Sequence, residues 1–144
     1  MNKLDIRIIK FIKKHHVLTL ATSTDKQNWC ASCFYVFDDN NYRFIFTSDE
    51  NTRHAHEMLL NTNVAGSIAL ETSIVGKIQG IQFSGKAKQI SEKEIIYARK
   101  LYLKKFPVAI PFINKLLLWE IKPSFIKFTD NRLGFGKKLI WEEK

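Results

Sequence analysis

Cysteine is nearly absent from this chain: Cys30 and Cys33 are the two in 144 residues. Two thiols do not make a four-ligand zinc site, and neither a second cysteine pair nor a finger-type histidine pair accompanies them. Their CxxC spacing suggests redox chemistry, but a redox motif opens a helix, where the dipole activates the thiol. This pair lies inside Trp29–Phe37, WCASCFYVF, a β-like run. Positions three apart on a strand face opposite sides, so both cysteines read as small packing residues. Also missing is any apolar run near the ~20 residues that span a bilayer. No five like charges stand together, which argues against a nucleic-acid arm. There is no repeat, low-complexity linker, catalytic triad, paired-carboxylate motif or Gly-rich nucleotide loop. The N-terminus has charges at Lys3, Asp5, Arg7 and Lys10 where a secretory signal would be apolar. One domain over 1–144, cytoplasmic and without a membrane partner, is therefore expected.

What is present is apolar and basic. Hydrophobic residues make up 45% and aromatics 12%, enough for a sizeable packed core. The formal charge is +9, from 23 basic and 14 acidic residues, which favours an anionic partner without identifying it. The basic residues are dispersed, and nucleic acid is not expected. The pattern predicts an amphipathic helix over 2–15 and strands over 17–22 and 29–37, with a turn at 23–28. Asp38–Asn41 should turn the second strand into a third at 42–46. A helix at 52–60 and a strand at 63–70 follow, then β character over 74–90, bent at Gly80 and Gly85. Ser91-x-x-Glu94 reads as a capping box opening a helix to Lys105, ended by Pro107 and Pro111. Last strands are expected at 116–121, 125–128 and 139–141. Several hairpins with few helices predict a mostly β, predominantly antiparallel barrel with flanking helices.

One corner carries chemistry. Phe44–Leu70 reads strand, polar corner, helix, strand. Ser48, Asp49, Glu50, Asn51 and Thr52 offer N-cap oxygens. Arg53 and His54 then enter the first helical turn, where the macrodipole is already positive. An anion bound there would resolve the conflict, gripped by Arg53, free backbone N–H groups and hydroxyls. A solvated arginine beside an ordinary cap is the alternative.

The same residues resemble the phosphate corner of the pyridoxamine 5′-phosphate oxidase-like split β-barrel flavoproteins. There a strand ending in Thr and a polar residue leads to a Ser/Thr-Arg-Lys triplet that opens a helix, followed by Asn-Pro. The matching residues are Thr47 and Ser48, then Thr52-Arg53-His54, then Asn61-Thr62. His54 replaces the lysine, Thr62 replaces the proline, and one extra residue precedes the triplet. The closing segment, Lys127–Asn131 through Gly134–Lys138, is similar to that of a small bacterial branch of the superfamily. The resemblance implies a split β-barrel, FMN-binding-like in fold, and a homodimer holding flavin mononucleotide (FMN) between subunits. It also implies an FMN-dependent oxidoreductase whose substrate the residues do not name.

Cofactor contacts are expected from Thr47, Ser48, Thr52, Arg53, His54, Gln82 and Lys137. The family places a flavin-contacting Gln at the position of Gly80; Gln82 lies two residues on, on the same face. Lys137 and Lys138 match the family's basic end. The strand at 29–37 lacks the basic residues of the family's stronger flavin binders. Trp119 and Trp141 suit a barrel core better than a cofactor. Two other readings stay open. One is noncovalent haem on the same scaffold, with His15, His16, His54 or His56 as ligand. The other is a non-catalytic basic barrel binding nucleic acid or another partner.

Overall fold

A computed structural model of the chain describes residues 2–144. Helix α1 spans Ile6–Lys14. Its start is set by Asp5, whose carboxylate accepts from the Arg7 backbone N–H at 2.8 Å, so the helix begins later than its apolar stripe suggested. Ile8 faces the core with Phe11 and Ile12, three and four residues on.

Strands β1 (Val17–Thr24) and β2 (Gln27–Asp38) pair antiparallel as far as Thr24 opposite Gln27. Only Asp25 and Lys26 lie between them, both at positive φ (48° and 62°). This is the two-residue connection whose twist suits a hairpin, and it replaces the broader turn expected over 23–28. Strand β3 (Arg43–Ser48) leads to α2 (Arg53–Leu60), β4 (Asn63–Ala69) and β5 (Gln79–Gln89). Helix α3 (Ile95–Lys105), a 3₁₀ segment (Pro107–Lys115), β6 (Leu117–Asp130) and β7 (Lys138–Glu142) complete the chain.

The strand order is β3-β2-β1-β4-β5-β6, and β3 also pairs with β6, closing a six-stranded antiparallel barrel. β7 adds a seventh strand on β6. The fold is thus the mostly β, antiparallel barrel with flanking helices that the hairpin pattern predicts. Two strands expected at 116–121 and 125–128 are one. Pro123 does not break β6, because it sits opposite Gly85 at a register shift in the β5–β6 ladder. A Cβ at Gly85 would run into the Lys122 carbonyl, so glycine is required at this close approach.

The core has two clusters. Inside the barrel, Tyr35, Phe37, Phe44, Phe46, Phe83 and Phe128 pack with Trp119 and Trp141, both buried. Outside it, α3 covers Val36, Ile45 and Leu118 with Ala98 and Tyr102. β2 meets α1 through the Tyr35 hydroxyl, bonded to the Ile12 carbonyl, and meets α2 at Trp29. The two helices therefore fill opposite ends of the barrel. The capping box at Ser91–Glu94 does not form. Glu94 is the N-cap residue of α3 without a side-chain cap bond, because its carboxylate pairs with Arg43 at 3.2 Å. Arg43 is buried and also bonds Asp38 at 2.9 Å and Glu120. Among the described residues no helix is long and apolar enough to cross a membrane.

Candidate phosphate corner at the start of α2

β3 delivers Ser48 to the rim of the barrel, facing inward like Phe44 and Phe46. The chain then turns through Asp49–Thr52. Thr52 Oγ1 donates to the Asp49 carbonyl at 2.8 Å and accepts from the Ala55 N–H at 3.3 Å, capping α2. His54 Nε2 lies 2.7 Å from Ser48 Oγ and 3.4 Å from Thr52 Oγ1. Burial holds the His54 pKa below the ordinary 6.5, against the pull of Glu57, so its ring is neutral at pH 7.

Arg53 is positioned from two sides. Its Nε donates to Glu57 Oε2 at 2.9 Å, one helical turn on, and its guanidinium lies 4.4 Å from the centre of the Trp29 ring. Glu57 is buried and also accepts from Thr22 Oγ1 at 3.2 Å. The anion that offsets Arg53 is therefore in part this carboxylate. The electrostatic conflict read from the sequence has an intramolecular answer.

Arg53 nevertheless keeps a binding capacity. Among the described residues nothing takes its two terminal nitrogens, and the side chain is 45% exposed. The Arg53 and His54 backbone N–H groups, in the first turn, have no intrahelical acceptor. Thr52 has already spent its hydroxyl proton. The Ser48 hydroxyl, 2.7 Å from His54 Nε2, is also placed to donate to the Asp49 carbonyl at 3.3 Å, so it reaches a ligand only by giving up that bond, with His54 Nε2 as the protonated nitrogen. These donors fit a phosphate group. Ser48 and His54 also form a nucleophile–base contact, but no described side chain orients the other ring nitrogen, so the pair lacks the third member of a catalytic relay.

Ser48, Thr52, Arg53 and His54 are thus brought together, and three other expected residues lie elsewhere. Thr47 faces away from the corner, toward α3, with its hydroxyl 3.3 Å from that of Tyr102. Gln82 is exposed on the outer face of β5, in one cross-strand row with Lys127, Ser67, Thr19 and Ser32. Lys137 precedes β7 and lines a cavity of about 210 Å³ with Arg7 and Asp130, at the α1 end. β6 connects the two ends: its Leu117 pairs with Ser48 and its Thr129 with Lys138. That separation is roughly 40 Å along the strand at about 3.3 Å per residue.

Two residues at the corner, Trp29 and Glu57, had not been singled out from the sequence. The i,i+4 spacing of Arg53 and Glu57 is a legible ion-pair signal. Nothing local signals Trp29, which is brought to Arg53 by the β1–β2 hairpin. The cysteines divide as the strand period requires, Cys30 exposed and Cys33 buried. Among the described residues no group of three or more His, Cys, Asp or Glu side chains is placed to hold a metal ion.

No family model matches the chain. It is 41% identical over 138 residues to a UPF0306 protein of Yersinia pestis, covering 95% of this chain and 92% of that protein. Among solved structures it is similar to a heme binding protein from Mycobacterium smegmatis, with TM-score 0.78 and 14% identity, over 99% of this chain and 60% of that one. A nimC/nimA family protein from Clostridium acetobutylicum superposes with TM-score 0.71 and 17% identity, over 96% and 91% of the two chains. A FAD-binding protein from Mesorhizobium loti gives TM-score 0.71 and 11% identity, over 86% and 92%. At these identities the likeness is one of fold, the split barrel.

Proposed function

The chain belongs to the UPF0306 family, and from that premise we propose that it is a cofactor-binding split barrel that takes FMN with the phosphate on Arg53. The observation that carries this reading is the posture of Arg53. A buried carboxylate holds its Nε, while among the described residues neither terminal nitrogen has a hydrogen-bond partner, at a helix N-terminus. An arginine held in this way presents a fork matched to a phosphate. Structural likeness to a FAD-binding protein supports a flavin on this scaffold. When bound, the flavin supplies the electron chemistry of an oxidoreductase whose substrate stays unnamed; the protein supplies phosphate binding and exclusion of water.

The proposal includes a homodimer. Lys137 lies at the far end of its own barrel, so it reaches an Arg53-bound cofactor only from a second copy. The outer sheet face carries the short side chains of Thr19, Ala21, Ser32, Ala65 and Ser67 in register beside Gln82, which permits close approach of a second sheet. A monomeric mass at micromolar concentration would remove this part.

One experiment orders the alternatives. The purified protein is scanned for visible absorbance, then titrated with FMN, riboflavin and haemin. FMN binding much tighter than that of riboflavin is expected, because riboflavin lacks the phosphate. A Soret band with no flavin binding would favour haem, the reading that likeness to the M. smegmatis heme binding protein supports. Binding of none of the three would leave a non-catalytic basic barrel.

A further inference from the structure

Between α3 and β6 the chain exposes large apolar side chains. Val108 is 83% exposed, and Ile110 and Phe112 are each 58% exposed. They lie on the 3₁₀ segment Pro107–Lys115, which carries prolines at 107 and 111. Ala109 and Ile113 turn inward and pack on the α3 cluster, which anchors the segment and forces its neighbours outward. Three large apolar side chains exposed within five residues of one another along the chain indicate an interaction surface.

The surrounding charge selects the partner. From Ile95 to Trp119 the chain has Arg99, Lys100, Lys104, Lys105 and Lys115 and no acidic residue. Lys100, Lys104 and Lys115 are exposed. A two-fold contact of this patch with itself would oppose lysines to lysines. Only Phe112 of the three could stack on a base, and a single platform flanked by two aliphatic side chains disfavours a nucleic acid. Exposed apolar side chains on a stretch whose charged residues are all basic match the boundary between acyl chains and anionic headgroups, although Asp39 of the β2–β3 turn shares a cavity with Lys104 and Lys105.

We propose that Val108, Ile110 and Phe112 form a membrane-surface anchor that docks the barrel on anionic lipid, with Lys100, Lys104 and Lys115 engaging the headgroups. No spanning segment is involved; this is peripheral attachment, which needs no long apolar run. The anchor shares no residue with the Arg53 corner, although its segment leads into β6 at Leu117, the partner of Ser48; the proposal does not depend on a flavin.

The test is co-sedimentation of the full-length protein with sucrose-loaded vesicles, either pure phosphatidylcholine or containing a third phosphatidylglycerol. The wild type should pellet with the anionic vesicles, stay in solution with the neutral ones, and be released by high salt. Val108→Ser/Ile110→Ser/Phe112→Ser should lower partitioning by about tenfold or more, and Lys100→Glu/Lys104→Glu by a similar factor. Unchanged circular dichroism and urea-unfolding midpoints would show that the variants are folded. Three results would overturn the proposal: no pelleting of wild type with anionic vesicles, undiminished pelleting of the triple variant, or conversion of a wild-type dimer to monomer by the triple substitution. The last would assign the patch to a second copy.

Discussion

Replacing Arg53 should have two separable consequences, because the residue faces a buried carboxylate on one side and solvent on the other. In Arg53→Ala, Glu57 keeps the Thr22 hydroxyl at 3.2 Å and loses its charge-assisted partner at 2.9 Å. A buried acceptor stripped of a charged partner costs about 1–3 kcal/mol. The lower half of that range is expected, since Arg53 is 45% exposed and the pair is screened from that side. For a chain of this size the loss lowers the melting temperature by a few degrees, at about 2–4 °C per kcal/mol. Arg53→Ala/Glu57→Gln removes the stranded charge and should recover most of the stability. FMN affinity should behave differently. Losing a charge-assisted phosphate contact costs about 1.5–3 kcal/mol, or roughly 10- to 150-fold, and the second substitution should not restore it. Urea unfolding and FMN fluorescence quenching on the wild type and both variants measure the two effects. If the double variant regains FMN affinity along with stability, Arg53 acts only through the fold and the phosphate assignment is refuted.

Three further outcomes are expected. Burial lowers the folded-state pKa of His54, and burial followed by Lys14, His16 and Lys105 lowers that of His15. Both rings favour the neutral form when folded, so stability should fall as pH drops through 6.5, and His54→Gln should flatten part of that slope in urea midpoints taken between pH 7.5 and 5.5. Arg43→Met should cost about 3 kcal/mol in chemical unfolding, the low end for a broken buried pair, because Asp38 and Glu120 lose their shared cation while Asp38 keeps Asn41 and Tyr97 and Glu120 keeps Lys88 at 3.4 Å. Iodoacetamide should label exposed Cys30 in the native protein and leave Cys33 unmodified, since burial pushes the Cys33 thiol up to about 11; mass spectrometry of tryptic peptides reads this directly.

Local chemistry in the sequence determined much of this protein. The strand period placed Cys30 and Cys33 on opposite faces, the polar run before Arg53 marked the start of α2, and the turn at Asp38–Asn41 joined β2 to β3. These features depend on neighbours within a few residues, which is why they are legible. Features that depend on distant partners were not. Glu94 has the spacing of a capping box, but its carboxylate pairs with Arg43 on another strand. Pro123 reads as a strand end until Gly85 supplies a bulge opposite it. Thr47, Gln82 and Lys137, from three separate segments, were expected at one cofactor, yet the strand alternation and the closure of the barrel send them to other faces and the other end. Trp29 comes to Arg53 only because a two-residue turn folds β1 onto β2. Sequence spacing fixes which residues are candidates; barrel closure decides which of them meet, because the pairings that bring them together span many residues and leave no local periodic trace.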